Sequence, residues 1–154
     1  MGKTKSKIEH QLFRTGVLVI DNQHEQYLDF VDELFALTER PNVEQSTVDA
    51  ALERALAYAV EHFDAEEALM RSIRYPGYES HRTKHDEFRN ETDRLCAISR
   101  TNVSPDEQLF YLTKWLVEWF CDQTQVYDKA LAIFLKKREQ KSPGRHTGPT
   151  EGEN

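Results

Sequence analysis

A chain of 154 residues with a net charge of -7 at pH 7 is the size of one ordinary domain, large enough to bury a core without disulfides or structural metals. The acidic balance argues against gripping phosphate backbones, so no nucleic-acid partner is expected. Cys96 and Cys121 stand in no CxxC-type spacing, residues 1–10 lack the apolar run of a signal peptide, and no stretch approaches the ~20 apolar residues of a membrane span. A cytoplasmic protein with no membrane partner is the expectation.

Residues 1–12 read as a flexible leading segment. After it, apolar residues recur at three- and four-residue intervals with charges between them, the pattern of amphipathic helices rather than strands. A first helix is predicted over 22–37, with Asp21 as its N-cap and His24, Leu28, Val31 and Phe35 on one face. Arg40, Pro41 and Asn42 break it. A second begins near Ser46, whose hydroxyl serves as cap, and aligns Leu52, Ala55, Ala59, His62, Glu66 and Leu69 or Met70. Tyr75, Pro76 and Gly77 make the next turn, and Ser80 is read as the cap of a third helix lined by His81, His85, Phe88, Thr92 and Leu95. The fourth start is the clearest, since Ser104, Pro105 and Glu107 supply an N-cap, a pre-set first position and a capping-box acceptor in order. That helix is predicted over 105–135, with Leu112, Leu116, Phe120, Gln123, Tyr127, Leu131 and Phe134 inward and Trp119 and Thr124 on the shoulders. From Lys136 the chain turns basic and apolar-poor, and residues 136–154 are expected to be a disordered tail. The fold class that follows is all-α, an antiparallel up-down-up-down four-helix bundle over 13–135.

Chemistry enters where polar residues fall on the apolar faces. His62 and Glu66 are four apart on the second helix, His81 and His85 four apart on the third, and His24 occupies the matching face of the first. An unpaired imidazole or carboxylate in an apolar core costs on the order of a few kcal/mol, so five such groups at one level need a common partner. A metal is the economical partner: four imidazoles with one carboxylate suit iron, manganese, zinc or cobalt, and the absence of thiolates argues against a structural zinc cage.

The run Ile20-Asp21-Asn22-Gln23-His24, the HxxxE pair in His62-Phe63-Asp64-Ala65-Glu66, and Tyr78 followed by the HxxxH pair His81 and His85 together resemble the bacterial hemerythrins. In that family five histidines, one glutamate and one aspartate hold two irons, and the reduced pair binds dioxygen. The resemblance implies two irons as cofactor, with His24 and His62 on the ion that binds oxygen, His81 and His85 on its companion, and Glu66 as a bridge. Family members usually read Trp-Leu-x-x-His on the fourth helix, with an aspartate five residues after that histidine. Aligned through Trp115-Leu116, the chain has Trp119 and Thr124 at those places, and both ligands are absent; Gln123 faces inward, whereas Asp128 lies beyond Thr124 and toward the outer side. On that alignment the companion position is depleted, and one iron held by His24, His62 and Glu66 becomes an alternative to two.

Two function classes stay open at this point. One is a non-haem iron protein that binds or senses dioxygen or a related small oxidant and is not an enzyme; the other is a degenerate bundle serving as an interaction or regulatory module, its protein partner unknown.

Overall fold

The computed structural model describes residues 9–142. Four long helices account for nearly all of them: α1 (Leu18–Thr38), α2 (residues 45–72), α3 (Tyr78–Ile98) and α4 (residues 105–140), preceded by a single 3-10 turn at His10–Phe13. Among the described residues there is no strand, and no helix is long and apolar enough to cross a membrane. Helix α1 packs on α4, and α2 packs on both α3 and α4, giving the expected four-helix bundle.

Two of the helices are not uniform. In α2 the α-helical parts Gln45–Tyr58 and Asp64–Ser72 are joined by a π-helical turn, Ala59–Phe63. In α4 the parts Pro105–Asp122 and Lys129–Gln140 are joined by a longer one, Gln123–Asp128. A π turn admits one extra residue per turn, which rotates everything beyond it relative to an uninterrupted α-helix.

The helix starts differ from expectation in three cases. α1 begins at Leu18, so Asp21 lies inside its first turn, where its carboxylate instead accepts from Thr15 N, Thr15 Oγ1 and Gly16 N at 2.6, 2.7 and 3.0 Å. Gly16, at φ 81, supplies the left-handed turn that aims those amides. α2 starts after Glu44 and α3 after Gly77, neither with a side-chain cap, while Ser80 Oγ donates back to the Gly77 carbonyl. The fourth start is as read: Ser104 and Glu107 form a complete capping box around Pro105.

Both ends of the bundle extend past the expected limits. α4 continues to Gln140, and Lys136 and Arg138 tie it down by donating to the Thr15 and Ile73 carbonyls at 2.6 and 2.9 Å, so the helix claims the first residues assigned to the tail; residues 143–154 lie outside the described part. At the other end Phe13 is buried against Phe120, with ring centroids 5.1 Å apart. His10 clasps α1 through Glu25 (2.9 Å) and Asp32 (3.1 Å). Residues 9–12 are therefore docked rather than loose, and residues 1–8 lie outside the described part.

The core divides in two. A large apolar cluster built around Tyr27, Phe63, Phe88, Leu116 and Phe120 fills one part of the bundle, and a small one of Ile20, Met70 and Leu131 fills the other. Along α1 His24 falls between Ile20 and Tyr27, along α2 Glu66 falls between Phe63 and Met70, and along α4 Gln123 and Asp128 fall between Phe120 and Leu131, so the polar residues form one buried layer with apolar packing on both sides.

Burial opposes a charge on His10, yet its hydrogen bonds to Glu25 and Asp32 raise its pKa above the ordinary 6.5. A histidine raised in the folded state stabilises while protonated, fully below 6.5 and no longer once pH has risen through the folded value. His10→Ala should therefore cost about 0.2–1 kcal/mol near pH 6, the scale of a solvent-screened ion pair, and much less near pH 9. Denaturant unfolding of both proteins at the two pH values measures it; an equal cost at both contradicts the clasp.

Candidate metal centre

Six titratable side chains meet in the polar layer: His24 from α1, His62 and Glu66 from α2, His81 and His85 from α3, and Asp128 from α4, none more than 5% exposed. They fall into two groups of three, His24 with His62 and Asp128, and Glu66 with His81 and His85, the donor atoms of each lying within 4.8 Å of one another. The carboxylates link the groups. Asp128 Oδ2 is 2.6 Å from His24 Nε2 while Oδ1 is 3.0 Å from His81 Nε2. Glu66 Oε2 lies 3.1, 3.3 and 3.6 Å from Nε2 of His85, His81 and His62.

All five residues expected from the sequence are thus brought together, and the structure adds a sixth that helical phase had turned outward. Asp128 is 1% exposed and central. At ~100° per residue, Gln123 and Asp128 would project about 140° apart on an α-helix. The π turn spanning them instead stacks residues five apart, so both enter the layer and Tyr127, expected inward, is only half-buried.

The fourth helix places its side chains differently from the expectation. Trp119 does not fill a metal position: its indole donates to the Lys84 carbonyl at 3.2 Å and packs among Phe63, Phe88 and Tyr27 in the large apolar cluster. Thr124 is fully buried beside the layer, its hydroxyl without a hydrogen-bond partner. The stretch Trp119-Phe120-Cys121-Asp122-Gln123, with Asp128 five residues on, has the spacing that the resemblance implies for the fourth helix. Asp128 and Gln123 are the two polar groups that this part of α4 brings into the layer. That five-residue spacing to an aspartate was the available signal.

The imidazoles are oriented from behind. Nδ1 of His85 meets Glu67 Oε1 at 3.0 Å, itself held by Arg89 at 3.0 Å; Nδ1 of His24 faces the Phe13 carbonyl at 3.3 Å; and Nδ1 of His62 meets Gln23 Oε1. Each partner is an acceptor for Nδ1 and fixes its ring so that Nε2 is turned into the layer, the orientation that prepares a histidine for a metal. Only His81 Nδ1 is buried without a partner.

Electrostatics pull the layer in opposite directions. Burial disfavours charge on His24 and His81, but hydrogen bonds and the negative charge of Asp128, with Glu66, overcome it, raising His24 and pushing His81 up to about 9. At His62 burial prevails and its pKa falls. Burial would also raise both carboxyls, yet the surrounding imidazoles hold Glu66 well below the usual carboxylate range, and hydrogen bonds from His24 and His81 lower Asp128. The compensation is incomplete: neither Glu66 oxygen, nor Gln123 Oε1, has an aligned hydrogen-bond partner. Leaving such groups unsatisfied costs about 1–3 kcal/mol each, and a cation among them supplies the missing partner. Imidazole nitrogens and carboxylate oxygens with no sulfur fit iron, manganese, cobalt or zinc.

Residues 15–124 match the family described as the hemerythrin HHE cation binding domain, a span that stops just before Asp128. Bacteriohemerythrins of Pseudomonas aeruginosa (strain LESB58) and Pseudomonas paraeruginosa (strain DSM 24068 / PA7) are each 27% identical to the chain over 103 residues. The matched segment is 66% of this chain and 66% of each relative, so the chain spans just under two thirds of the length of these curated relatives.

Removing Asp128 leaves two buried imidazoles without their counter-charge, whereas Thr124 has no partner to lose. At neutral pH Asp128→Ala should destabilise the metal-free protein by on the order of 3 kcal/mol, and Thr124→Val by less than ~1 kcal/mol. Urea unfolding of chelator-treated protein tests the pair. Equal losses would mean that Asp128 does not anchor the layer.

Proposed function

Because the chain belongs to the hemerythrin HHE cation-binding family, which implies non-haem iron, we propose that its buried layer holds iron and binds or senses dioxygen or a related small oxidant. The observation that carries this reading is the pair of three-donor groups joined by two carboxylates. His24, His62 and Asp128 would hold one ion and Glu66, His81 and His85 the other, with Asp128 and Glu66 each in reach of both. Iron held by these residues would, when reduced, supply electrons to a bound oxidant.

The chain's own contribution is to shape and dry the space around these donors. On the His24 and His62 side, Phe120 packs edge-on to His24 at 5.2 Å and Tyr58 stacks on His62 at 4.9 Å, while Phe13 closes over Phe120. On the other side Phe63 lies parallel to His85 at 4.0 Å. With every candidate donor at most 5% exposed, a ligand of two or three atoms can be accommodated by local side-chain movement, but a larger substrate would have to part the helices. This favours a carrier or sensor over an enzyme acting on an organic substrate. The second reading is a degenerate bundle serving as an interaction or regulatory module, and the six buried donors in one layer speak for the first.

Anaerobic ferrous loading followed by exposure to air tests the proposal. Two irons per chain and a near-ultraviolet and visible charge-transfer band that develops on exposure are expected, both diminished in His62→Ala. A protein that retains no iron, or retains it equally in His62→Ala with no spectral response to oxygen, contradicts it.

A further inference from the structure

Gln123 opens the π turn of α4 at the level of the polar layer, and its surroundings assign it more than a filling role. The side chain is 1% exposed. Its Nε2 lies 2.7 Å from His81 Nε2 and 3.3 Å from His85 Nε2, and donates to Asp128 Oδ1 at 3.0 Å. Its Oε1 is buried without a partner. One end of the amide therefore touches the inward nitrogens of both histidines on α3, and the other end is unsatisfied. A half-turn about the terminal bond exchanges oxygen and nitrogen without moving any other atom, placing Oε1 where it faces both imidazoles. An amide nitrogen has no lone pair to give a cation, whereas an amide oxygen has.

We propose that Gln123 is a protein donor, through Oε1, to an ion held by His81 and His85. This rests on the metal reading above and adds to it a specific asymmetry. The two groups share Glu66 and Asp128 and each has two imidazoles of its own. Of the four imidazoles, Gln123 touches only the α3 pair. The His81 and His85 position thereby gains a third donor of its own, and the His24 and His62 position keeps its remaining coordination free for an exogenous ligand. Because an amide oxygen is a weaker donor than an imidazole nitrogen, the gain is smaller than a histidine would give, and the ion there should exchange more readily than in a chain with histidine at 123.

Cobalt(II) is a suitable probe, since it accepts the same nitrogen and oxygen donors and its ligand-field absorption reports coordination. Each position is isolated by disabling the other. In a His24→Ala background, Gln123→Leu should weaken cobalt binding by roughly tenfold or more, Gln123→Glu should retain it, and Gln123→His should strengthen it by a comparable factor. In a His81→Ala background the same three substitutions should change the affinity less than about threefold, well below the loss expected for a lost donor. Stronger ligand-field absorption in the Gln123→Leu protein, from the lower coordination number, is the accompanying spectroscopic sign. Unchanged affinity and spectrum on Gln123→Leu in the His24→Ala background would overturn the assignment while leaving the metal reading intact. A wild-type chain that takes up no cobalt would overturn both.

Discussion

Six titratable side chains buried at one level of a helical bundle can be held there only if their charges are matched inside the protein, and this constraint organises the rest of the molecule. Two carboxylates that water cannot reach are kept ionised by the surrounding imidazoles, and the carboxylates in turn raise the pKa of His24 and His81. Removing any member leaves an uncompensated charge in low dielectric, which costs more than the pair itself gains. The apolar clusters on either side exclude water and raise these stakes. Protons satisfy the layer only in part, and the orphaned oxygens of Glu66 and Gln123 mark where the remaining attraction is directed. A chain optimised for stability alone would have filled this level with leucine.

The backbone answers the same constraint. Both π turns occur at the level of the polar layer, Ala59–Phe63 carrying His62 and Gln123–Asp128 carrying two inward polar residues at its ends. An α-helix presents inward residues three or four apart, and a pair five apart cannot share its face. The second π turn lets α4 place Gln123 against α3 and Asp128 between α1 and α3, then return to α-helical phase with Leu131 and Ala132 buried. The docked N-terminal turn completes the arrangement, because the Phe13 carbonyl that orients His24 comes from outside the four helices.

Most of the bundle was legible from periodicity. His24, the His62 and Glu66 pair, and the His81 and His85 pair could be placed because α-helical spacing holds between the members of each pair. The Ser104 capping box was legible because its residues act on their own local backbone. What failed was phase and ends. Asp128 was turned outward by a uniform 3.6-residue period, since nothing in local composition announces the extra residue of a π turn. Anchoring on Trp115 put Trp119 and Thr124 at the expected ligand places, one α-helical turn before Gln123 and Asp128, a shift that preserves the apolar stripe and so gives no warning from hydrophobicity. Asp21, Ser46 and Ser80 are plausible caps by type, but the starts of α1, α2 and α3 were set by packing, with exposed Leu18 and Val19 opening α1 where no inward pattern had begun. Lys136 and Arg138 read as tail because their role is to reach backbone carbonyls elsewhere, which sequence does not display.

The central claim is that α4 supplies two inward groups, Asp128 and Gln123, to a layer that holds two ions. The most direct measurement is a crystal structure of iron-loaded protein with anomalous diffraction recorded above and below the iron edge. Two iron peaks are expected, one among His24, His62 and Asp128 and one among Glu66, His81 and His85, with the Gln123 amide directed at the second. A single peak that Asp128 does not touch, or none within the layer, would contradict the account.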